Sequence, residues 1–535
     1  AWRFLGLVAL ATLVSMLLPM LKLVTVKLLP FDNKSELQVV VDLPRGTTLE
    51  TTDGVLQAAA ARLKDVNELS SVQSHAGTAA PFNFNGLVRH SYLRADPEQG
   101  DLQINLVEKD HRSRTSHEIA LDIRKRLAGL PMPVGGSLKV VEVPPGPPVI
   151  STLLAEIYGP DAETRRETAR KVREAFRSVP YIVDDDDSFG IAATRKRLRI
   201  DQDQLEFYKV EERDVYDTIQ SALGGIVVGY SHRGGGRHPI EIAVQLPKRD
   251  LVVTERGLAI PVPANALPGE RAIVELGDVI RISEEAASFP IFRHNGRAAE
   301  MVMGELAGAY EAPVYGMLAV ADAIKARKDW GPAGPPAISY HGQPEDESKP
   351  VLLWDGEWEV TYVTFRDMGA AFGVALLGIY ILVVAQFRSF VLPLVILTPV
   401  PLTLIGIMIG HWLFGAPFSA TSMIGFIALA GIIVRNSILL VDFIRHAKTP
   451  ERSLRDVLLE AGAIRFKPIL LTAVAAMIGA AVILFDPIFQ GLAISLLFGL
   501  VSSTLLTVLV IPAIYVIMRD DGRVFEEDRA DAAKG

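Results

Sequence analysis

No cysteine occurs in the 535 residues. That excludes disulfides, thiolate-bound zinc and cysteine nucleophiles. Lys and Arg number 54 against 62 acids, a net charge of −8. No long basic run is present, so no nucleic-acid partner is expected. No glycine-rich loop carries the lysine that cradles nucleotide phosphates, so ATP is not the expected energy source. No cofactor and no enzymatic activity are expected. The first apolar run, Phe4–Leu21, is not followed by a small-residue cleavage site. It reads as a transmembrane helix rather than a secretory signal, and the abrupt start at Ala1 reads as a cut from a longer chain. The apolar runs also lack acids: none holds Asp or Glu near its centre, and Asp442 and Asp486 fall near run ends.

What is present divides into two kinds of sequence. Mean hydropathy is positive, +0.28, although 22% of residues are charged; membrane spans alternate with a charged part. Six runs approach the roughly 20 apolar residues that cross a bilayer: Phe4–Leu21, Gly369–Phe387, Leu392–Trp412, Ser419–Ile444, Pro468–Phe485 and Leu492–Met518. Arg388, the cluster from Arg445 to Lys467, and Arg519 with Arg523 lie on one side of these spans, while the alternate loops, Phe414–Phe418 and Asp486–Gly491, carry no Lys or Arg. Basic loops stay in the cytoplasm, so the long insert between the first and second spans faces outward. Pro450–Ala463 reads as an amphipathic helix on the cytoplasmic surface.

The insert repeats one pattern. Strand Glu36–Leu43, helix Thr48–Lys64, strands near Ser70–Ser74 and Asp101–Val107, helix Ser116–Leu127 and strand Ser137–Val143 make a split βαβ unit. After the proline-rich stretch Pro144–Pro148 the pattern restarts with strand Thr152–Tyr158, helix Ala162–Ser178 and strand Tyr181–Asp185. It resumes with strand Ala298–Leu306, helix Val314–Arg327 and strand Ala337–His341. Between these halves, near Thr194–Phe292, lies a separate α+β insertion with a Gly-rich hairpin region at Gly234–Gly236. The fold class is thus membrane α+β.

Several segments carry a resemblance. Gln38–Thr48, Arg197-Leu198-Arg199-Ile200-Asp201 with Gly224-Gly225, Gly431–Phe443 and Arg465–Thr472 stand in the order, and with the topology, of one half of a resistance–nodulation–division (RND) transporter of the drug-efflux branch. The chain resembles the C-terminal half of such a pump. The resemblance implies a first transmembrane helix at 1–23 (the seventh of a full pump) and a first ferredoxin-like (βαββαβ) porter subdomain at 24–148. It implies a second porter subdomain at 149–193 and 293–345, interrupted by a docking-type subdomain at 194–292. Five transmembrane helices at 346–518 and a cytoplasmic tail at 519–535 complete the expectation. It further implies the bacterial inner membrane, a periplasmic insert, a homotrimer, a periplasmic adaptor, an outer-membrane channel and a missing N-terminal half. The implied activity is proton/substrate antiport of hydrophobic or amphiphilic compounds. Metal-ion efflux is one alternative, and a translocation-accessory or sterol-sensing-like membrane protein another.

Arg435 is the candidate site residue with the clearest physical argument. It sits in the middle of the fourth span, where an unpaired cation is costly and usually marks an ion or proton path; the alternative is an arginine that snorkels or bonds backbone carbonyls. By resemblance it stands where drug pumps carry a relay lysine. Arg does not deprotonate at accessible pH, so it serves as a fixed counter-charge and the titrating acids lie outside this chain. Arg465 and Thr472 match two further relay-associated positions. A cytoplasmic anchor and a hydroxyl bonded to its own helix are their alternatives. Asn436 is a candidate for bonding across helices. Gly425, Gly431, Gly479 and Gly499 are candidates for close packing. Phe82, Phe84 and Leu87 line a tentative substrate cleft or anchor a loop. The acidic run Asp184–Asp187 reads as a solvated turn, His232 and His238 as a loop tip, and Met301 with Met303 as core. No resident metal is expected.

Overall fold

The computed structural model describes every residue except 82, 90–92, 234–235, 248–257, 268–269, 309, 450–451 and 519–535. The tail read as cytoplasmic, Phe82, and Gly234 and Gly235 of the Gly-rich stretch therefore lie outside the described residues. Two compact units are present: Ile191–Phe289, and all the rest.

Helix α1 (Trp2–Met20) leads into a first module. Its strands are β1 (Glu36–Asp42), β2 (Leu69–Ala76), β3 (Gln99–Leu106) and β4 (Ser137–Val141), in sheet order β2-β3-β1-β4, with every neighbour antiparallel. Helices α2 (Leu49–Arg62), α3 (Phe84–Arg89) and α4 (Ser116–Leu127) connect them. Thr48 caps α2, and Thr115 with Glu118 closes a capping box on α4, satisfying backbone N–H groups that have no partner within the helix. Val55, Leu56 and Ala59 of α2 and Ile119, Ala120 and Ile123 of α4 recur at helical spacing and bury against Val39, Val41, Leu102 and Ile104 of the sheet. Truncating a fully buried leucine such as Leu56 costs about 2–5 kcal/mol.

The second module begins with β5 (Leu153–Tyr158), α5 (Ala162–Ser178) and β6 (Ile182–Asp187). The acidic run is thus part of a strand, not a solvated turn.

The inserted unit holds β7 (Thr194–Ile200), α6 (Gln202–Tyr208), α7 (Glu212–Ile219), β8 (Ile226–Ser231), β9 (Ile240–Val244), β10 (Pro261–Leu267), β11 (Glu270–Glu275), α8 (Leu276–Val279) and β12 (Ile280–Ala286). Its strands pair as β7/β12, β8/β9 and β10/β11, and a core containing Leu205, Val215, Val262 and Val279 lies among its helices and the β7/β12 and β10/β11 pairs. The β8/β9 ribbon leaves Val228, Tyr230, Ile240 and Val244 exposed.

The chain returns through a short hairpin, β13 (Arg293–His294) and β14 (Arg297–Ala298), to β15 (Glu300–Leu306), α9 (Pro313–Ala326), β16 (Ala337–Ser339) and β17 (Val351–Gly356). The second sheet runs β16-β17-β5-β15-β6. Strand β17, absent from the sequence reading, takes the place beside β5 that the split βαβ pattern gives to β16, and β16 pairs parallel to its outer edge. The module therefore extends past residue 345, into the stretch read as the start of the spans. All six residues of β5 are buried, because α5 and α9 cover one face and the β13–β14 region covers the other. Trp354 of β17 stacks on Phe176 of α5, ring centres 5.9 Å apart.

Six helices are long and apolar enough to cross a membrane. They are α1; α10 (Glu357–Phe387); α11 (Leu392–Leu397) with α12 (Pro399–Phe414), one span interrupted at Thr398; α13 (Ala420–Ala447); α14 (Leu454–Ala481); and α15 (Gln490–Met518). Helix α10 starts twelve residues before the apolar run. Within the stretch read as a surface helix at Pro450–Ala463, residues from Leu454 onward are the first part of α14, which continues through Pro468. Helices α12, α13 and α15 form the centre of the bundle. Gly425 and Gly499 allow this approach: an added Cβ would lie 2.7 Å from Ser495 Cβ and 2.2 Å from Leu429 Cδ2. Gly431 and Gly479 face open space and have no such role within these helices.

Candidate functional site

Helix α13 opens with Ser419 as its cap and presents Gly425, Leu429, Ile433, Asn436, Ser437, Leu440 and Ile444 to the bundle. Those positions step by three and four residues, one face of a helix. Arg435 follows Ile433 by two residues, about 200° around the axis, and its side chain is exposed on the outer face. No ion pair or hydrogen bond reaches Arg435 among the described residues. Asn436 turns inward, 8% exposed, beside fully buried Ser437.

The other two candidates lie on α14. The Arg465 guanidinium stands 5.3 Å from the ring centre of Phe443 on α13. Its Nε is buried without a hydrogen-bond partner among the described residues. Thr472 donates its hydroxyl to the Pro468 carbonyl at 2.9 Å, the local bond a helical threonine makes by default. Among the described residues no hydrogen bond or ion pair joins any two of Arg435, Asn436, Arg465 and Thr472.

A titratable group that the sequence reading passed over is His411, fully buried near the end of α12. Its Nδ1 lies 2.8 Å from the Ile407 carbonyl, which can only accept, so Nδ1 carries a proton. Nε2 lies 2.8 Å from Ser422 Oγ. Thr421 donates to the Ile488 carbonyl at 2.9 Å, Ser419 Oγ is 2.8 Å from Thr421 Oγ1, and Ser422 Oγ is 3.2 Å from Ser419 Oγ. With His411 neutral, each hydroxyl has one acceptor: Ser422 gives its proton to Nε2 and Ser419 gives its proton to Thr421. A second proton on the ring would reverse the Ser422 hydroxyl toward Ser419. This network lies beside the joint with the modules: Phe418 N–H donates to the Thr25 carbonyl at 2.7 Å, Ala420 N–H to that of Leu28 at 3.0 Å, and Val26 N–H to Tyr315 Oη of α9 at 3.2 Å. The available signal was an ionisable residue within an apolar run, weakened by its place next to the end of Leu392–Trp412.

Charges cluster where the modules meet. Asp184 accepts from Arg124 of α4 at 2.8 Å, and Lys139 of β4 bridges Asp186 and Asp42, the latter at 3.0 Å. Arg173 of α5 holds Asp185 at 2.7 Å and also pairs with Asp187. Burial pushes the Asp42 carboxyl up, but Lys139 and Arg94 outweigh it and hold the pKa at about 2. For Asp184 burial prevails over Arg124, and its pKa is raised. His117 of α4 joins Glu142 at 2.9 Å and, across the modules, Glu311 at 2.8 Å. Burial disfavours the charged ring, yet the two carboxylates raise its pKa to about 9. A cavity of about 230 Å³ opens between the modules, lined by Arg94, Lys139, Asp184, Asp186, Met303 and Glu305 among others. Phe84 and Leu87 do not line it and are exposed at 45% and 49%, so neither is a buried loop anchor.

Residues 2–519 match the AcrB/AcrD/AcrF family. The cobalt-zinc-cadmium resistance protein CzcA of Cupriavidus metallidurans is 26% identical over 375 residues, covering 69% of this chain and 33% of that protein. Multidrug resistance protein MdtC of Yersinia enterocolitica is 25% identical over 436 residues, covering 78% and 39%. A crystal structure of a heavy metal efflux pump superposes with a TM-score of 0.77 at 19% identity, over 96% of this chain and 50% of that one. The chain spans well under two thirds of the length of each. A match over nearly every residue, together with the same fold of six apolar helices and mixed sheets, places this chain in the AcrB/AcrD/AcrF family of RND efflux transporters.

Proposed function

We propose that these residues form the C-terminal half of a proton/substrate antiporter in the bacterial inner membrane, with both modules and the inserted unit in the periplasm. On this reading the modules are ferredoxin-like porter subdomains and the inserted unit is the docking-type subdomain. The observation that carries the proposal is Arg435: a permanent cation, sixteen residues into a 28-residue apolar helix, exposed on its outer face and unmatched by any acid among the described residues. Leaving it unpaired in a bilayer costs about 3 kcal/mol on insertion scales, so an anion from the N-terminal half pairs with it. Protonating that anion weakens the pair and lets α13 shift. The porter cleft follows, through the Thr25–Leu28 joint beside His411. The exposed apolar ribbon β8/β9 supports assembly as a homotrimer, and the docking subdomain would meet an outer-membrane channel and a periplasmic adaptor. The exported compounds are hydrophobic or amphiphilic, with Phe84 and Leu87 on the path.

A second reading, metal-ion efflux, is favoured by the charged lining of the inter-module cavity and by the names of CzcA and the solved pump. Efflux from inverted vesicles under an imposed pH gradient tests both. Dye extrusion that stops in Arg435→Leu supports the first reading; extrusion of zinc but not dye supports the second. Transport that continues unchanged in Arg435→Leu refutes the coupling role.

A further inference from the structure

Glu156 lies in the middle of β5 with its side chain fully buried. It belongs to the sheet face away from α5 and α9, where Asp355 of β17 and His294 of β13 converge on it. His294 Nδ1 contacts Glu156 Oε1 and stands 3.6 Å from Asp355 Oδ2. One donor atom from each of the three lies within 4.8 Å of the other two. The second Glu156 oxygen, Oε2, accepts from the Tyr158 hydroxyl at 2.6 Å. That leaves Oε1 aimed at the centre, as an outer hydroxyl does for a ligating carboxylate. Glu359, one turn into α10, reaches Asp355 with a further carboxyl.

The charges here do not balance. Even a fully protonated His294 supplies one positive charge for the carboxylates of Glu156 and Asp355, with the Glu359 carboxyl beside them, and the imbalance is costly because Glu156 is wholly enclosed. Arg297, three residues beyond His294, pairs with Glu347 at 3.1 Å, and Arg166 pairs with Glu300 at 3.2 Å. A dication would close the account. Tetrahedral zinc with bonds of about 2.1 Å holds its ligand atoms roughly 3.4 Å apart, close to the separation of His294 Nδ1 and Asp355 Oδ2. One imidazole and two carboxylates form a borderline-hard donor set that suits zinc or cobalt(II) better than a thiolate-seeking ion.

We propose that Glu156, His294 and Asp355 form a binding site for a divalent first-row transition ion, with Tyr158 orienting Glu156 from outside. Binding displaces the proton from His294 Nδ1 to solvent. The ion pins the β13–β14 hairpin to the sheet and fixes Asp355, two residues before α10, so its occupancy stiffens the connection between the second module and a membrane span. The site shares no residue with the inter-module cavity and does not depend on which compound the pump exports.

The test uses the whole pump in detergent, stripped with chelator and titrated with cobalt(II), then with zinc. Wild type should bind one cobalt per chain with visible ligand-field absorption, displaced by zinc, and zinc should raise Tm reversibly with chelator. His294→Ala and Asp355→Asn should remove that cobalt spectrum and the zinc-dependent rise in Tm. Tyr158→Phe should weaken cobalt binding roughly 10–100-fold while keeping the metal-free Tm, and it decides the matter if His294→Ala does not fold. No bound cobalt in wild type, or the same affinity in wild type and all three variants, would overturn the site and leave a plain ion-pair cluster. Wild-type pump that extrudes dye but binds no cobalt would overturn this inference alone; wild-type pump that binds cobalt but extrudes no dye would touch only the antiporter reading.

Discussion

Lys139 and Arg435 are both long cations on regular elements, and their surroundings are opposite. Lys139 stands between Asp42 and Asp186, joining one module to the other. Arg435 stands on the outer face of α13 with no acid within reach among the described residues. Throughout the modules buried charges come in sets: Arg124 with Asp184, Arg173 with Asp185 and Asp187, His117 with Glu142 and Glu311. In the apolar bundle the buried polar groups are instead uncharged, and at the joint they are hydroxyls chained to one histidine. The comparison teaches that a charge met within the chain stabilises the chain, whereas a charge left unmet in an apolar surround marks where another segment docks.

Replacing each cation should therefore fail in a different way. Arg435→Leu should lower pH-driven efflux about 100-fold or more, the scale on which a lost relay group acts, with no drop in Tm; Arg435→Lys should retain part of it. Efflux from inverted vesicles and a melting curve check both halves. Lys139→Met should do the reverse, costing up to about 3 kcal/mol of stability by removing the cation that Asp42 and Asp186 share, although Arg94 still holds Asp42, with the double variant Lys139→Met/Asp42→Asn recovering part of it in denaturant melts.

His117 sharpens the comparison by pH. Its folded pKa of about 9 exceeds the unfolded value of roughly 6.5. The stabilisation is therefore complete below pH 6.5 and is lost as pH rises through 9, amounting to about 3 kcal/mol in all. Tm measured from pH 6 to 10 should fall through that window in wild type and less steeply in His117→Gln. The smallest effect belongs to Thr472→Val, which removes a bond to its own helix. Stability should change by less than about 0.5 kcal/mol, with efflux unchanged; a collapse of efflux there would place Thr472 in the relay after all.

Much of the architecture could be read from the residues. The spans announce themselves by length, and the first module by alternating strands and capped helices at Thr48 and Thr115. What stayed hidden follows from the same rules. The first three turns of α10 carry Glu357, Glu359, Arg366 and Asp367, which mask a helix that begins before its apolar run. Four consecutive aspartates contradict strand propensity; β6 forms because Arg124 and Lys139, remote in sequence, and Arg173 of the preceding helix pair with them. Strand β17 has only four apolar residues and adjoins charged sequence. Pro468 looked like a helix start, yet α14 passes through it. Of the candidate site, Arg435 was legible as an ionisable residue in an apolar run, and its outward direction follows from the Gly425–Leu429–Ile433 stripe. The His411 network was not legible, because its partners meet only when α12, the cap of α13 and the turn before α15 converge. The Glu156–His294–Asp355 cluster was hidden for a similar reason, since its members are separated by 138 residues in one case.

The central claim concerns the anion of Arg435, and a side-chain-resolution structure of the whole pump tests it most directly. The account predicts the guanidinium within about 4 Å of a carboxylate on a helix contributed from outside these 535 residues. A guanidinium bonded instead to groups of its own six helices, or surrounded by water, would contradict it.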